Sequence, residues 1–106
     1  MPDIIFIDDE KLPAWFDLPE DTPHAKNAQE ALDLLCKHRR SILYLDHDLG
    51  KGMDGKNLLE LICQEIHIPN KVFCISLNPA GVKRISDVCK DYNIEFENIA
   101  QRLFSV

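Results

Sequence analysis

The sequence predicts a parallel α/β domain, a central sheet with helices layered on its faces. Three observations carry this. Short, largely apolar runs at residues 4–7, 41–45 and 72–75 each end at polar residues, mostly acidic ones. Segments with apolar residues at helical spacing lie between and after them. The two patterns alternate, with no internal repeat and no linker. An all-apolar run suits a strand covered on both faces, and such strands joined through helices make right-handed crossovers. The expectation is a single three-layer domain over residues 1–106.

The composition agrees. The 106 residues are 45% hydrophobic and 28% charged, as in ordinary globular chains and unlike disordered or collagen-like ones. No apolar run approaches the ~20 residues of a membrane span. The opening MPDIIFIDDE has three acids within its first nine residues and no basic flank, so it reads as folded structure rather than a signal peptide. A cytoplasmic protein with no membrane partner is expected. The net charge of −6 argues against extended nucleic-acid binding. Cys36, Cys63, Cys74 and Cys89 form no C-x-x-C pair and lie in apolar patterns, so they read as reduced core residues.

In chain order, Ile4 to Ile7 forms the first strand. Residues 11–23 hold three of the six prolines and predict an irregular loop, with Trp15 and Phe16 as a hydrophobic plug over the core. His24-Ala25-Lys26 suits a short edge strand. Asn27 caps a helix near 28–38, with Glu30 at the capping-box position and Ala28, Ala31, Leu32, Leu35 and Cys36 on its apolar side. SILYL, 41–45, is the second clear strand. A glycine-containing loop leads to a helix near 55–66, its inner face being Leu58, Leu59, Ile62, Cys63 and Ile66. The strand at 72–75 follows, and Asn78-Pro79 then caps a helix near 79–91 that turns Val82, Ile85, Val88 and Cys89 inward. A strand with Ile94 and Phe96, then a helical turn, closes the chain.

Parallel connections put all strand C-termini on one sheet edge, where open α/β sheets bind ligands. That edge collects Asp8-Asp9, Asp46-His47-Asp48 and Ser76-Leu77-Asn78. Four carboxylates in one crevice repel, and a hard divalent cation such as Mg²⁺ or Mn²⁺ would relieve them. Asp8, Asp9 and Asp46 are the candidate metal ligands. Asp46, His47 and Asp48 are the candidate catalytic residues, and Ser76 and Asn78 the candidate phosphate binders. Alternation puts Asp46 and Asp48 on one strand face and His47 on the other, where it could pack structurally. Acids at strand ends also cap helices and tie down loops, and for Asp54 capping is the favoured role.

These residues resemble the receiver domains of response regulators, which have a flavodoxin-like fold. Asp8-Asp9 matches the family's acidic pair, Asp46 its phosphoacceptor, Met53-Asp54-Gly55 its M-D-G stretch and Ser76 its switch hydroxyl. Here the family's first helix is replaced by the proline-rich loop, and no lysine followed by proline stands downstream. The chain is most similar to the group described as cyclic-phosphate-processing receiver domains. It shares D-D-E with a proline loop (Asp8-Asp9-Glu10, Pro13), L-D-H-D-L-G (Leu45 to Gly50) and N-P-x-G (Asn78 to Gly81). Ile75 stands where that group's histidine is expected.

The resemblance implies two readings. One is a metal-dependent phosphoryl-transfer or phosphodiesterase domain acting on a phosphate ester, such as a 2′,3′-cyclic phosphate or an RNA 3′ end. Asp46 would be a ligand or nucleophile, and His47 or Asp48 an acid or base. The other is a receiver or pseudo-receiver that binds a protein partner, with Asp46 as phosphoacceptor or degenerate. The sequence leans to the first. A blander third reading is an accessory protein whose acids are a relic. It would rest on an exposed Trp15-Phe16 surface.

Overall fold

The computed structural model describes residues 3–50 and 52–104. Five strands run in one sheet: β1 (Ile4–Ile7), β2 (His24–Ala25), β3 (Ile42–Leu45), β4 (Lys71–Cys74) and β5 (Glu95–Asn98). All four neighbouring pairs are parallel, in the order β2-β1-β3-β4-β5. This is the doubly wound order whose switch point lies between β1 and β3. Among the described residues no helix is long and apolar enough to cross a membrane.

Strand alternation divides the core in two. Ile5, Ile7, Leu43, Leu45, Val72 and Cys74 face the helices α1 (Ala28–Lys37), α2 (Gly55–Glu65) and α3 (Pro79–Asp91). Phe6, Tyr44 and Ile75 face the other way, against Phe16 and Ile99. The helix patterns read from the sequence hold, but all three α-helices pack on one face. The second face is closed by two 3₁₀ turns, Pro13–Phe16 and Ala100–Phe104, where helices on both faces were expected. The prolines explain the first of these: Pro13 fits the start of a single turn, and Asp17 leaves it in a left-handed conformation, φ 60°.

Two expectations need correcting. Phe16 is buried, but Trp15 is 52% exposed, so the plug is one ring and not a pair. A 3₁₀ turn places neighbours about 120° apart, and only one of them can face the sheet. Cys36 is exposed, while Cys63 is half-buried and Cys74 and Cys89 are buried. Cys36 lies one turn beyond Leu32, which is itself only half-buried, and so falls outside the Ala31/Leu35 stripe. Burial pushes the Cys63 and Cys74 thiols up to about 11 and that of Cys89 to about 12, which leaves them protonated packing groups.

The capping reading holds. The Glu30 and Asn57 amides donate to the Asn27 and Asp54 side chains, each at 2.9 Å, and the Ala80 amide to Asn78 at 3.1 Å. Asn78 and Asp54 thereby anchor α3 and α2 beside the strand ends that carry the acids.

Candidate metal and phosphate site

The Asp8 carboxylate organises the turn after β1. Its Oδ1 accepts the backbone N–H groups of Glu10 and Lys11, at 2.7 and 2.9 Å. This Asx-type turn folds the chain back, so that Lys11 Nζ donates to Asp8 Oδ2 at 3.2 Å and to Asp46 Oδ2 at 3.4 Å. From behind, His24 Nε2 lies 2.8 Å from the Asp8 carbonyl oxygen. At the end of β3, Asp46 Oδ1 accepts the His47 amide at 2.8 Å. One carboxylate oxygen each of Asp8, Asp9 and Asp46 lie within 4.8 Å of one another. Asp8 and Asp46 are buried and Asp9 is exposed.

Burial and the neighbouring Asp8 charge push the Asp46 carboxyl up to about 6, against the pull of Lys11 and the His47 amide. For Lys11, burial alone would lower the pKa, but Asp46 and Asp8 outweigh it and the ammonium is held above its ordinary value. The three acids form a compact set of hard oxygen donors with more negative charge than one lysine neutralises. The residues present fit a divalent cation of the Mg²⁺ class.

A crevice of about 480 Å³ opens here, lined by Asp9, Glu10, Lys11, Asp46, Asp48 and Asn78 among others. The structure thus gathers Asp9, Asp46, Asp48 and Asn78 around one opening, with Asp8 buried at its base. His47 and Ser76 do not line it. Ser76 is buried, its Oγ accepts the Asn78 amide at 3.1 Å, and it borders a neighbouring groove between α3 and β5. Ile75 points to the opposite face of the sheet, among Phe6, Phe16 and Tyr44.

His47 turns to the helical side. Its Nδ1 lies 3.5 Å from Asp48 and its Nε2 3.6 Å from Asp54, and among the described residues neither nitrogen has a hydrogen-bond partner. The ring presses on Gly81, where a Cβ would stand 2.6 Å from His47 Cβ and 2.7 Å from its Nδ1. This explains the glycine of the N-P-x-G segment. Helix propensity alone would make Gly81→Ala stabilising by about 0.5–1 kcal/mol. The clash should win, giving a net loss of about 1–3 kcal/mol in urea unfolding. With His47→Gly already in place, which removes the clashing Cβ as well as the ring, much of that loss should disappear. Strictly additive effects in this double-mutant cycle would contradict the contact.

Lys11, Gly55 and Gly81 were not singled out as functional or packing positions by sequence reasoning. For Lys11 a signal existed: a lysine directly after D-D-E, beside acids that repel one another.

The family described as the cyclic-phosphate processing receiver domain matches residues 4–91. The chain belongs to that family. Among solved structures, this receiver domain is similar to the receiver domain of NtrX from Brucella abortus. They share 25% identity over 95% of this chain and 91% of that one, with a TM-score of 0.64. It shares the fold of the N-terminal domain of the uncharacterized protein WS1339 from Wolinella succinogenes. That match has 15% identity, covers 98% and 89% of the two chains and has a TM-score of 0.68. Against NtrX from Brucella abortus in complex with ADP, identity is 24% and the TM-score 0.65. There this receiver domain covers 95% of its own length but spans only 25% of the NtrX chain. No curated protein matches the sequence. A receiver-type, flavodoxin-like domain is thus established.

Proposed function

We propose that the chain is a receiver-type module in which Asp46 accepts a phosphoryl group and a protein partner reads the result. The observation supporting this most strongly is the convergence of Asp8, Asp9 and Asp46 at the switch point between β1 and β3. These three would hold Mg²⁺ or Mn²⁺, which when bound supplies neutralisation of phosphate oxygens. Asp46 performs the covalent step. One carboxylate oxygen bonds to phosphorus while the bond from phosphorus to the leaving group of an acyl-phosphate or phosphoramidate donor breaks, and the electron pair departs with that group. The His47 amide on Oδ1 orients the carboxylate for this. Asn78 and Lys11 are placed at the crevice to meet phosphoryl oxygens. The surface to be read is the groove of about 520 Å³ along α3, where Ser76 meets Leu77, Pro79, Val82 and Phe96.

These receiver-type neighbours favour this reading over the phosphodiesterase towards which the sequence leans. The family's description keeps the second reading in view: hydrolysis of a phosphate ester, such as a 2′,3′-cyclic phosphate at a nucleotide or an RNA 3′ end. Asp48, exposed at the crevice, would then be the better acid or base, since His47 lies outside it. One experiment separates the two. The protein is incubated with Mg²⁺ and acetyl phosphate, and separately with a 2′,3′-cyclic nucleotide. The expected result is an intact-mass gain of one phosphoryl group, absent in Asp46→Asn, and no cyclic-phosphate opening. Ring opening without an adduct would replace the first reading by the second. Neither product would reject both and leave a constitutive binding module.

A further inference from the structure

We propose that Lys11 is a resident counter-ion standing in the place of the divalent cation, so that ion binding and Lys11 release are a single coupled event. The inference rests on the metal reading of the crevice. Its geometric basis is that the Lys11 ammonium contacts two of the three candidate ligands, Asp8 and Asp46, and does so through their Oδ2 atoms. Asp8 Oδ1 and Asp46 Oδ1 are already engaged by backbone N–H groups. Among the described residues the Oδ2 atoms are therefore the ones with no main-chain donor, and Lys11 covers both.

The Lys11 side chain is only 13% exposed, while the Asp8 and Asp46 side chains are 0% and 8% exposed, so water screens the ion pairs weakly. A cation entering among these oxygens meets a like charge at 3.2–3.4 Å from them. Both cannot stay, because two cations sharing one pair of oxygens repel at short range. Lys11 is the mobile one: its ammonium ends a flexible four-carbon stem. Its backbone, held by Asp8 Oδ1, stays at the rim. The displaced ammonium remains in the crevice with Asn78, where it can meet an anionic ligand. Ion and anion then bind cooperatively, the first freeing the residue that attracts the second.

The test uses Mg²⁺ alone, titrated by calorimetry at pH 8 into wild type and Lys11→Met, which keeps the apolar stem. The variant should bind about tenfold tighter, within the usual range of coupling between competing ligands. In wild type, the ¹³Cε resonance of Lys11 should shift in step with Mg²⁺ saturation, a readout that does not depend on the variant folding. Binding by Lys11→Met but not by wild type would support the proposal in its strongest form. Equal or weaker binding by the variant, or an unmoved Lys11 resonance while wild type binds Mg²⁺, overturns it and leaves the metal reading standing. No Mg²⁺ binding by either protein rejects the metal reading and this inference with it.

Discussion

Gly55→Ala is expected to destabilise the protein by about 3 kcal/mol or more, the upper end for overpacking. The reason is backbone against backbone. The first residue of α2 sits on the end of β3, and its N–H donates to the His47 carbonyl at 2.7 Å. A Cβ there would stand 2.9 Å from His47 Cα and closer still to the Asp46 carbonyl oxygen, where ordinary contact begins near 3.4 Å. Neither partner can yield cheaply. The Asp46 amide is bonded to Ile7 at 3.0 Å within the sheet. The helix is pinned by the buried Leu58, Leu59 and Ile62. Relief therefore requires moving α2 or displacing Asp46. Urea unfolding should show the loss, and Mg²⁺ affinity should fall with it. Gly52→Ala is the control. Its Cβ would meet nothing, so only the strain of φ +98° remains, about 1–2 kcal/mol. A wild-type urea midpoint for Gly55→Ala would contradict the close approach.

Asp46→Asn is expected to have opposite effects on binding and stability. It removes one of three candidate ligands, and Mg²⁺ affinity should drop at least about tenfold. In the metal-free protein the same change should stabilise. The Asp46 carboxyl is raised from 3.8 to about 6 in the folded state, first by burial and then by Asp8. Between those values the folded chain holds more protons than the unfolded one, so stability falls as pH rises through this window. Above it the cost of the charged form is fully present. Solvent in the open crevice screens part of it, leaving about 1 kcal/mol that asparagine would recover at neutral pH. Thermal unfolding in chelator at pH 4 and pH 7 checks this: the variant's advantage should appear at pH 7 and vanish at pH 4. A uniform advantage, or none, would refute the electrostatic origin.

Much of the fold was legible because its signals are local. Asn27, Asp54 and Asn78 cap helices through residues two or three positions away, and strand ends coincide with the loss of apolar side chains. The gathering of Asp8, Asp9 and Asp46 on one sheet edge followed from parallel connections alone, while their adjacency needed β1 and β3 to be neighbours. What stayed hidden depends on contacts across the chain. Lys11 reaches Asp46, 35 positions away, only because Asp8 bends the intervening turn. Gly55 and Gly81 are required by the backbone of β3 and the ring of His47. The side of the sheet on which His47 lies was foreseeable from alternation, but Ser76 opening onto the α3–β5 groove was not. Trp15 and Phe16 are equally apolar in sequence, and the choice of which is buried belongs to the turn.

Both rims of the sheet also bear on how the molecule behaves among copies of itself. β2 is only two residues long, and β5 alternates the exposed Glu95 and Glu97 with half-buried Phe96 and Asn98. Lys71 on the inner neighbour β4 pairs with both glutamates. A foreign strand laid along β2 finds too few hydrogen-bonding groups to hold register. One laid along β5 must pass a row of carboxylates whose counter-ion is already committed inward. An open parallel sheet of this kind, with its aliphatic centre strands, is thus guarded against fibrillar stacking at both ends, by brevity on one and by acid on the other.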